Sequence, residues 1–552
     1  MNAAILFEPD GYLLTGPRLM GRQAAGNGFL RAAVHARGDQ PLACFTPLRE
    51  SALTFRETVM EIDPAATMTW IPSQRLELVA QAGVLYRPDQ IMGIQARQRL
   101  RAGPAAYSLC GVTHTLATSG TLDNLGRILT DPVMPWDALV CTSTAALGVV
   151  ETVLDRQADY LAWQTGQPFT QKRPMLPVIP LGVHCDDFAF TDPERQAARE
   201  SLGLSADDVA VLFAGRLSVS GKSHPYAMFK ALQTVAEHTG KAIVLLLAGQ
   251  AYSDKMAELF TSGLSAFCPG VRTVFVDGKD AQAYRSAWAG ADLFVSLADS
   301  IQETFGITPL EAMAAGLPAL VSDWNGYKDT VRDGLDGFRI RTWAPSAEGG
   351  EVIAAAFEAG ALGYDQYLSR SNTAVSIDVG QLTARLRDLV SDPALRRRLG
   401  AAGQARARRD FDWAVVFRRY QALWDEQTAV RRKAAADPDT ADWLAHAPKS
   451  GSDFMSPFET FAGYPSEPVT ADTLVTLSPG ATGETYGSLI GHPVMALWTV
   501  SAELVGPLLG QLAAGPRTVE ALAAACEITP LQVSEIAARL AKMDLVVLGR
   551  QA

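Results

Sequence analysis

Paired cysteines are missing from this 552-residue sequence. Its six cysteines, Cys44, Cys110, Cys141, Cys185, Cys268 and Cys526, are scattered and form no C-x-x-C pair. That spacing excludes a disulfide framework and a zinc ribbon, and it reads as reduced thiols in a cytoplasmic protein. Long apolar runs are also missing. No stretch approaches the roughly 18 apolar residues of a membrane span, and the most hydrophobic strand, Ala242 to Ala248, is far too short. Met1 to Asp10 carries no basic segment, so no secretory signal is expected. A surplus of positive charge is lacking too. With 48 Lys and Arg against 59 Asp and Glu, the net charge is −11, so bulk binding to nucleic acid is not expected. None of this forbids peripheral contact with a membrane.

What is present is a chain too long for one core, so two or three domains are expected. Hydrophobic residues make up 48% and charged residues 19%, as in a soluble globular protein. Short apolar strands at Ala3–Phe7, Val84–Tyr86, Tyr107–Cys110 and Ala138–Cys141 alternate with helical periodicity. The loop after the first strand carries Gly16, Gly21, Gly26 and Gly28, with Asn27 placed to cap a helix from about Gly28. The rhythm restarts near residue 190. Strands are predicted at Val209–Ala214, Ala242–Leu247, Thr273–Val276, Leu293–Ser296 and Ala319–Ser322. Alternation of this kind predicts parallel sheets with crossover helices. From Asp378 to about Gln427 the chain reads as charged helix, with Arg396 to Arg398 on a solvated face. Asp437 to Pro468 is rich in Pro, Ser, Asp and Gly and reads as linker. Three helical segments then precede a short apolar strand, Leu545–Leu548, and suggest a winged-helix-like module. Its last helix has Thr529 at N-cap, Pro530 at N1 and Gln532 at N3.

The segment carrying most chemistry runs Glu303-Thr304-Phe305-Gly306-Ile307-Thr308-Pro309-Leu310-Glu311-Ala312-Met313-Ala314-Ala315-Gly316-Leu317-Pro318. It follows the strand Leu293–Ser296 and opens a helix with Thr308 as N-cap. That places it at the carboxyl end of a parallel strand, where open α/β sheets bind ligands and helix N-termini favour phosphate. Gly306 permits close backbone approach. Glu303 is free to reach sugar hydroxyls or to be a solvated loop acid. Glu311 can grip two ribose hydroxyls or close a capping box with Thr308. Phe213-Ala214-Gly215-Arg216-Leu217, followed by Lys222, delivers two cations from another strand end. They suit a departing diphosphate, or else a strand-end ion pair and a surface lysine.

Together these residues resemble the signature of family 4 retaining glycosyltransferases: two glutamates with seven residues between them, Phe-Gly after the first, and Glu-Ala-Met-Ala-x-Gly-x-Pro running from the second. Further segments fall in family order. They are Val178 to His184 with Phe188, Ala291 to Val295, and Asp336-Gly337-Phe338. The resemblance covers residues 1–430 and is strong from 178 to 340. It implies an α/β architecture of two Rossmann-like domains facing across a cleft (GT-B), plus a small, mainly α C-terminal domain. The expected boundaries are an acceptor domain at 1–185, a donor domain at 186–430, a linker at 431–490 and the winged-helix-like module at 491–552.

By the resemblance, Glu303 contacts the donor sugar and Glu311 the ribose. The backbone at Phe305, Gly306 and Ile307 meets the diphosphate, which Arg216 and Lys222 also hold. Lys222 sits one residue further from the arginine than in the commonest form. Gly26 and Asn27 would approach the donor phosphate or acceptor, and His114 would line the reaction centre. A structural role for His114 stays open, as does a helix-start role for His224. The implied reaction is sugar transfer from a nucleotide-diphosphate sugar with retention, needing neither metal nor cofactor. The acceptor is a carbohydrate, lipid, peptide or small molecule. The rival is a catalytically inactive nucleotide-sugar-binding or regulatory protein acting through its C-terminal module. As a DNA reader that module is poorly equipped, since Pro530 to Met543 offers only Arg539 and Lys542 against Glu535. A protein partner or dimer contact suits it better.

Overall fold

The computed structural model describes residues 3–14, 21–170, 173–251, 253–498 and 500–550. Gly16, expected in the first loop, lies outside them. The chain divides into two compact units, Met1–Gly451 and Ser452–Ala552.

The first unit holds two six-stranded sheets. Strands β1 (Ala4–Leu6), β2 (Leu42–Phe45), β3 (Met68–Ile71), β4 (Val84–Tyr86), β5 (Ser108–Val112) and β6 (Ala138–Val140) are arranged in the order β3-β2-β1-β4-β5-β6. Strands β7 (Val209–Ala214), β8 (Ile243–Gly249), β9 (Arg272–Asp277), β10 (Leu293–Ser296), β11 (Ala319–Ser322) and β12 (Gly337–Ile340) are arranged β12-β11-β10-β7-β8-β9. Every neighbouring pair in both sheets is parallel. Renumbered from its own first strand, the second sheet repeats the order of the first, so both are Rossmann-like. Strands such as Val209–Ala214 are buried at every position, because crossover helices cover both faces. In such sheets the strand order reverses at one point. Here those points are β1/β4 and β7/β10.

The boundary expected near residue 430 does not hold. The helix Trp413–Ala436 returns to the first sheet. There Trp413, Phe417, Tyr420 and Trp424 are buried in one cluster with Phe29 and Tyr86. Phe29 stacks on Tyr86 with centroids 4.0 Å apart. Gln427 donates from Nε2 to the carbonyls of Leu109 (2.8 Å) and Trp136 (3.0 Å), and Arg431 donates to Ser108 Oγ at 2.9 Å. Arg431, predicted to begin a linker, is therefore anchored on the first domain. The first Rossmann-like domain is built from two separate stretches of chain.

The second unit also draws on the predicted linker. After the first unit's two-stranded ribbon of β13 (Thr342–Trp343) and β14 (Ser376–Ile377), strand β15 (Leu474–Leu477) is the centre of a three-stranded antiparallel sheet in the second unit, between β16 (Arg517–Thr518) and β17 (Val546–Gly549). Helix Gly483–Ile490 joins the same core through buried Tyr486. The short strand was illegible because its partners lie far along the chain. Helices Ala502–Ala513, Val519–Cys526 and Pro530–Lys542 follow. The last has the expected capping box, with Thr529 Oγ1 accepting the Gln532 N–H at 3.2 Å. Among the described residues no helix is long and apolar enough to cross a membrane.

Candidate active site

The reversal point of the second sheet gathers the charged residues. The chain leaves β7 through Gly215-Arg216 into the loop that carries Lys222. It leaves β10 into the loop that carries Gln302 and Glu303. Adjacent strands thus deliver both cations and the first glutamate to one place. Lys222 Nζ donates to Glu303 Oε2 at 2.5 Å and to Tyr327 OH at 3.2 Å. Their side chains are 9% and 17% exposed, so this is a buried ion pair. The extra residue before Lys222 does not prevent it from reaching the glutamate. Arg216 is exposed. Its Nη2 donates to Gln302 Oε1 at 3.2 Å, and its charge helps hold the Glu303 carboxyl down.

Burial alone would raise Glu303, but Lys222 and then Arg216 outweigh it, and the carboxyl lies below its ordinary range. Burial likewise opposes the Lys222 ammonium, yet the carboxylate beside it moves its pKa up. Both groups are therefore charged at neutral pH.

Glu311 is different. The helix Thr308–Ala314 starts with Ile307 as its cap, and no side chain caps it. The expected capping box between Thr308 and Glu311 is absent, because Thr308 is already helical. Glu311 Oε2, Thr304 Oγ1 and Thr308 Oγ1 are buried with no hydrogen-bond partner among the described residues. Burial pushes Glu311 up to about 7, against the pull of Lys222. Nearby, Asp299 Oδ2 accepts the His224 N–H at 3.1 Å, and burial pushes Asp299 also up to about 7. Buried polar atoms left unmatched are costly, and a ligand's hydroxyl groups would satisfy them.

A pH dependence follows. Both carboxyls are raised from ordinary values of 4.5 and 3.8 to about 7. Folding therefore favours their protonated forms, and that stabilisation is lost as pH rises from about 4 through 7. His114 and His184, which burial lowers to about 4, act in the opposite sense as pH falls below 6.5. Glu311→Gln and Asp299→Asn are each expected to flatten the fall of Tm between pH 5 and 8, measured against wild type by calorimetry. A variant slope equal to that of wild type would contradict the burial of these carboxyls.

Gly306 has φ +80°, and a Cβ there would lie 2.1 Å from the Tyr327 ring. Its small size therefore accommodates Tyr327 at least as much as any ligand. Phe305 is buried beneath the loop and Ile307 is half-buried. The loop and the helix Tyr327–Thr330 are both tied to the first domain: Ser143 Oγ donates to Thr304 O at 3.0 Å, and Thr144 donates from N and Oγ1 to Asp329 of that helix, each at 2.6 Å.

The first-domain expectations fare unevenly. Gly26 and Asn27 are not in a loop but inside the helix Gly21–Ala36. A Cβ on Gly26 would lie 2.0 Å from Gly11 O, so this glycine lets the helix pack against the backbone that follows β1. His114 is neutral at pH 7. Its Nε2 is 2.7 Å from Pro88 O, and its N–H donates to Gln90 Oε1 at 3.3 Å. These contacts belong to the first sheet, and none joins it to Glu303 or Lys222. His224 serves the start of its helix, with Nδ1 accepting the Tyr226 N–H at 3.4 Å. Tyr327 and Gln302 went unnoticed in the sequence. Gln302 adjoins the glutamate motif, whereas nothing in the pattern around Tyr327 marks it.

Residues 194–347 match the family model for glycosyl transferases group 1. This stretch is similar to the group 1 glycosyl transferases. D-inositol 3-phosphate glycosyltransferase of Nocardia farcinica is 30% identical over 176 residues, covering 31% of this chain and 37% of that protein. The enzyme of the same name from Streptomyces scabiei is 28% identical over 214 residues, 37% of this chain and 47% of that protein. The chain thus spans less than half the length of these curated relatives. A solved glycosyltransferase from Rickettsia africae superposes with a TM-score of 0.50 at 10% identity, covering 77% of this chain and 98% of that one, a likeness of fold. The matched stretch includes Arg216, Lys222, Glu303 and Glu311, and leaves Gly26, Asn27 and His114 outside. A cavity of about 310 Å³ between the helices Ser119–Arg127 and Thr144–Thr165 contains none of these residues.

Proposed function

We propose that the protein transfers a sugar from a nucleotide-diphosphate sugar to an acceptor hydroxyl, with retention of anomeric configuration and without a metal. The observation that carries this reading is the cluster at the β7/β10 reversal point. Two cations and a charged carboxylate meet there beside buried polar atoms that have no hydrogen-bond partner among the described residues. The nucleotide lies against the glycosyl transferase domain, its ribose hydroxyls donating to Glu311. Arg216 and Lys222 face the diphosphate, whose negative charge grows as the sugar bond breaks. Fixed cations in a water-poor site stabilise that charge. Glu303 contacts the donor sugar, and in the free protein its carboxylate neutralises Lys222. The acceptor hydroxyl attacks from the face the diphosphate leaves, and a donor phosphate oxygen takes its proton. The acceptor approaches from the first domain, where His114 and, in the helix Gly21–Ala36, Gly26 and Asn27 are the candidates to line it. Closure of the two domains limits hydrolysis.

The test is a thermal-shift screen of the full chain against UDP-, GDP- and ADP-sugars. One of them at a hundred times its Kd is expected to stabilise the fold by about 2.7 kcal/mol. Incubation with that donor should then release the nucleoside diphosphate slowly by hydrolysis. Binding without any release, with or without candidate acceptors, would favour the binding-protein reading. No shift with any donor would reject the nucleotide-sugar site itself.

A further inference from the structure

Around the end of the family match at residue 347, the chain makes an excursion whose base is a small antiparallel ribbon, β13 (Thr342–Trp343), still inside the match, paired with β14 (Ser376–Ile377) beyond it. The ribbon is fastened to the second sheet: Thr342 Oγ1 donates to Asp323 O at 3.0 Å, and the Arg341 N–H donates to Gln381 Oε1 at 2.7 Å. Two helices, Glu351–Glu358 and Tyr364–Asn372, form the excursion, and Phe357 stacks on Tyr367 at 4.5 Å to join them. The first helix buries no residue, so the pair adds little to either core.

The second helix, however, sends one side chain from each end to the cation site. Asn372, 3% exposed, donates from Nδ2 to the carbonyls of Val219 (2.8 Å) and Ser220 (3.3 Å), in the loop between Arg216 and Lys222. At the other end Tyr364 OH accepts from Gln302 Nε2 at 3.4 Å, and the Oε1 of that same amide accepts from Arg216. The Gln302 amide is thereby oriented, oxygen toward the guanidinium. Within the loop, Ser218 Oγ accepts the Gly221 N–H at 3.0 Å. One helix thus touches the supports of both cations and neither cation itself.

We infer that Asn372 and Tyr364 are positioning residues for diphosphate binding: the helix Tyr364–Asn372 is a template that sets the loop 216–222 and the Arg216 guanidinium at the spacing a diphosphate requires. The inference rests on the nucleotide-sugar reading of the site. A template of this kind acts on the diphosphate and leaves the rest of the nucleotide untouched. Its signature is therefore a change in the preference for nucleoside diphosphate over monophosphate.

The experiment compares UDP with UMP, GDP with GMP and ADP with AMP by calorimetric titration of the full chain. Asn372→Asp puts an oxygen against two carbonyls and is expected to reduce the diphosphate-to-monophosphate affinity ratio about tenfold, with monophosphate affinity unchanged. Tyr364→Phe removes a single long hydrogen bond at a half-buried site, and a reduction of about two- to threefold is expected. If wild type binds a diphosphate and both variants keep its ratio, or weaken mono- and diphosphate equally, the template is refuted while the site stands. If wild type binds none of the three diphosphates, the nucleotide-sugar reading fails and the template falls with it. Should Asn372→Asp not fold, the ratio for Tyr364→Phe decides alone.

Discussion

Replacing Lys222 with methionine is expected to abolish transfer and weaken the fold together. The lysine sits on Glu303 in a site where both side chains are largely shielded from water. Removing one partner of a buried ion pair leaves the other charge uncompensated, which costs about 3–5 kcal/mol. Loss of a fixed donor facing the leaving group costs about 10²–10³ in rate. The two effects separate in a double variant. Lys222→Met with Glu303→Gln removes both charges, so most of the stability should return while activity does not. Urea unfolding and donor turnover on the two single variants and the double variant measure this. A double variant no more stable than Lys222→Met would show that the pair does not exist in solution. The same geometry revises the simplest expectation for Glu303→Ala. Loss of transfer with an intact fold would suit an isolated loop acid, but here the alanine leaves Lys222 buried and unpaired.

Arg216→Ala should behave in the opposite way as regards folding. Arg216 is exposed, and its hydrogen bonds go to Gln302 Oε1 and, at 3.5 Å, to Gly221 O. Truncating such a surface residue changes stability by no more than about 0.5 kcal/mol. Turnover is nonetheless expected to fall by about 10²–10³, as for other groups placed where charge develops. In the proposed mechanism the cation acts most strongly once the diphosphate has begun to leave, so the fall should appear in kcat rather than in KM. Wild-type kcat in a purified, folded Arg216→Ala protein would remove this arginine from the mechanism. Together the two substitutions distinguish a cation that is built into the fold from one that is only presented by it.

How much of this was legible beforehand depended on how local the signal was. Five strands of the second sheet were readable because each is a short, mostly apolar run, whereas β12, with Arg339 in its middle, was read only as the turn at Asp336-Gly337-Phe338. The residues at the β7/β10 reversal point were readable because both loops carry compact motifs. Gly26 misled because a glycine demanded by helix packing against Gly11 O has the same spacing as one in a phosphate loop. Thr308 misled because a threonine before proline suits an N-cap, yet the helix begins one residue earlier. Tyr327 was invisible because its role comes from β11 lying beside β10, a fact of sheet order. The helix Trp413–Ala436 carried a plain aromatic stripe, but periodicity says only that a face is buried. It does not say against which domain.

That last helix has a consequence for how the protein comes into being. The second Rossmann-like domain is one continuous stretch of chain and has its core residues once Phe411 has been made. The domain whose strands are translated first still lacks Trp413, Phe417, Tyr420 and Trp424, which cover one face of its sheet. During synthesis, therefore, the half that begins first finishes last. Until the helix leaves the ribosome, Phe29 and Tyr86 face water, and a nascent chain stalled before residue 413 presents a greasy surface for chaperones to hold.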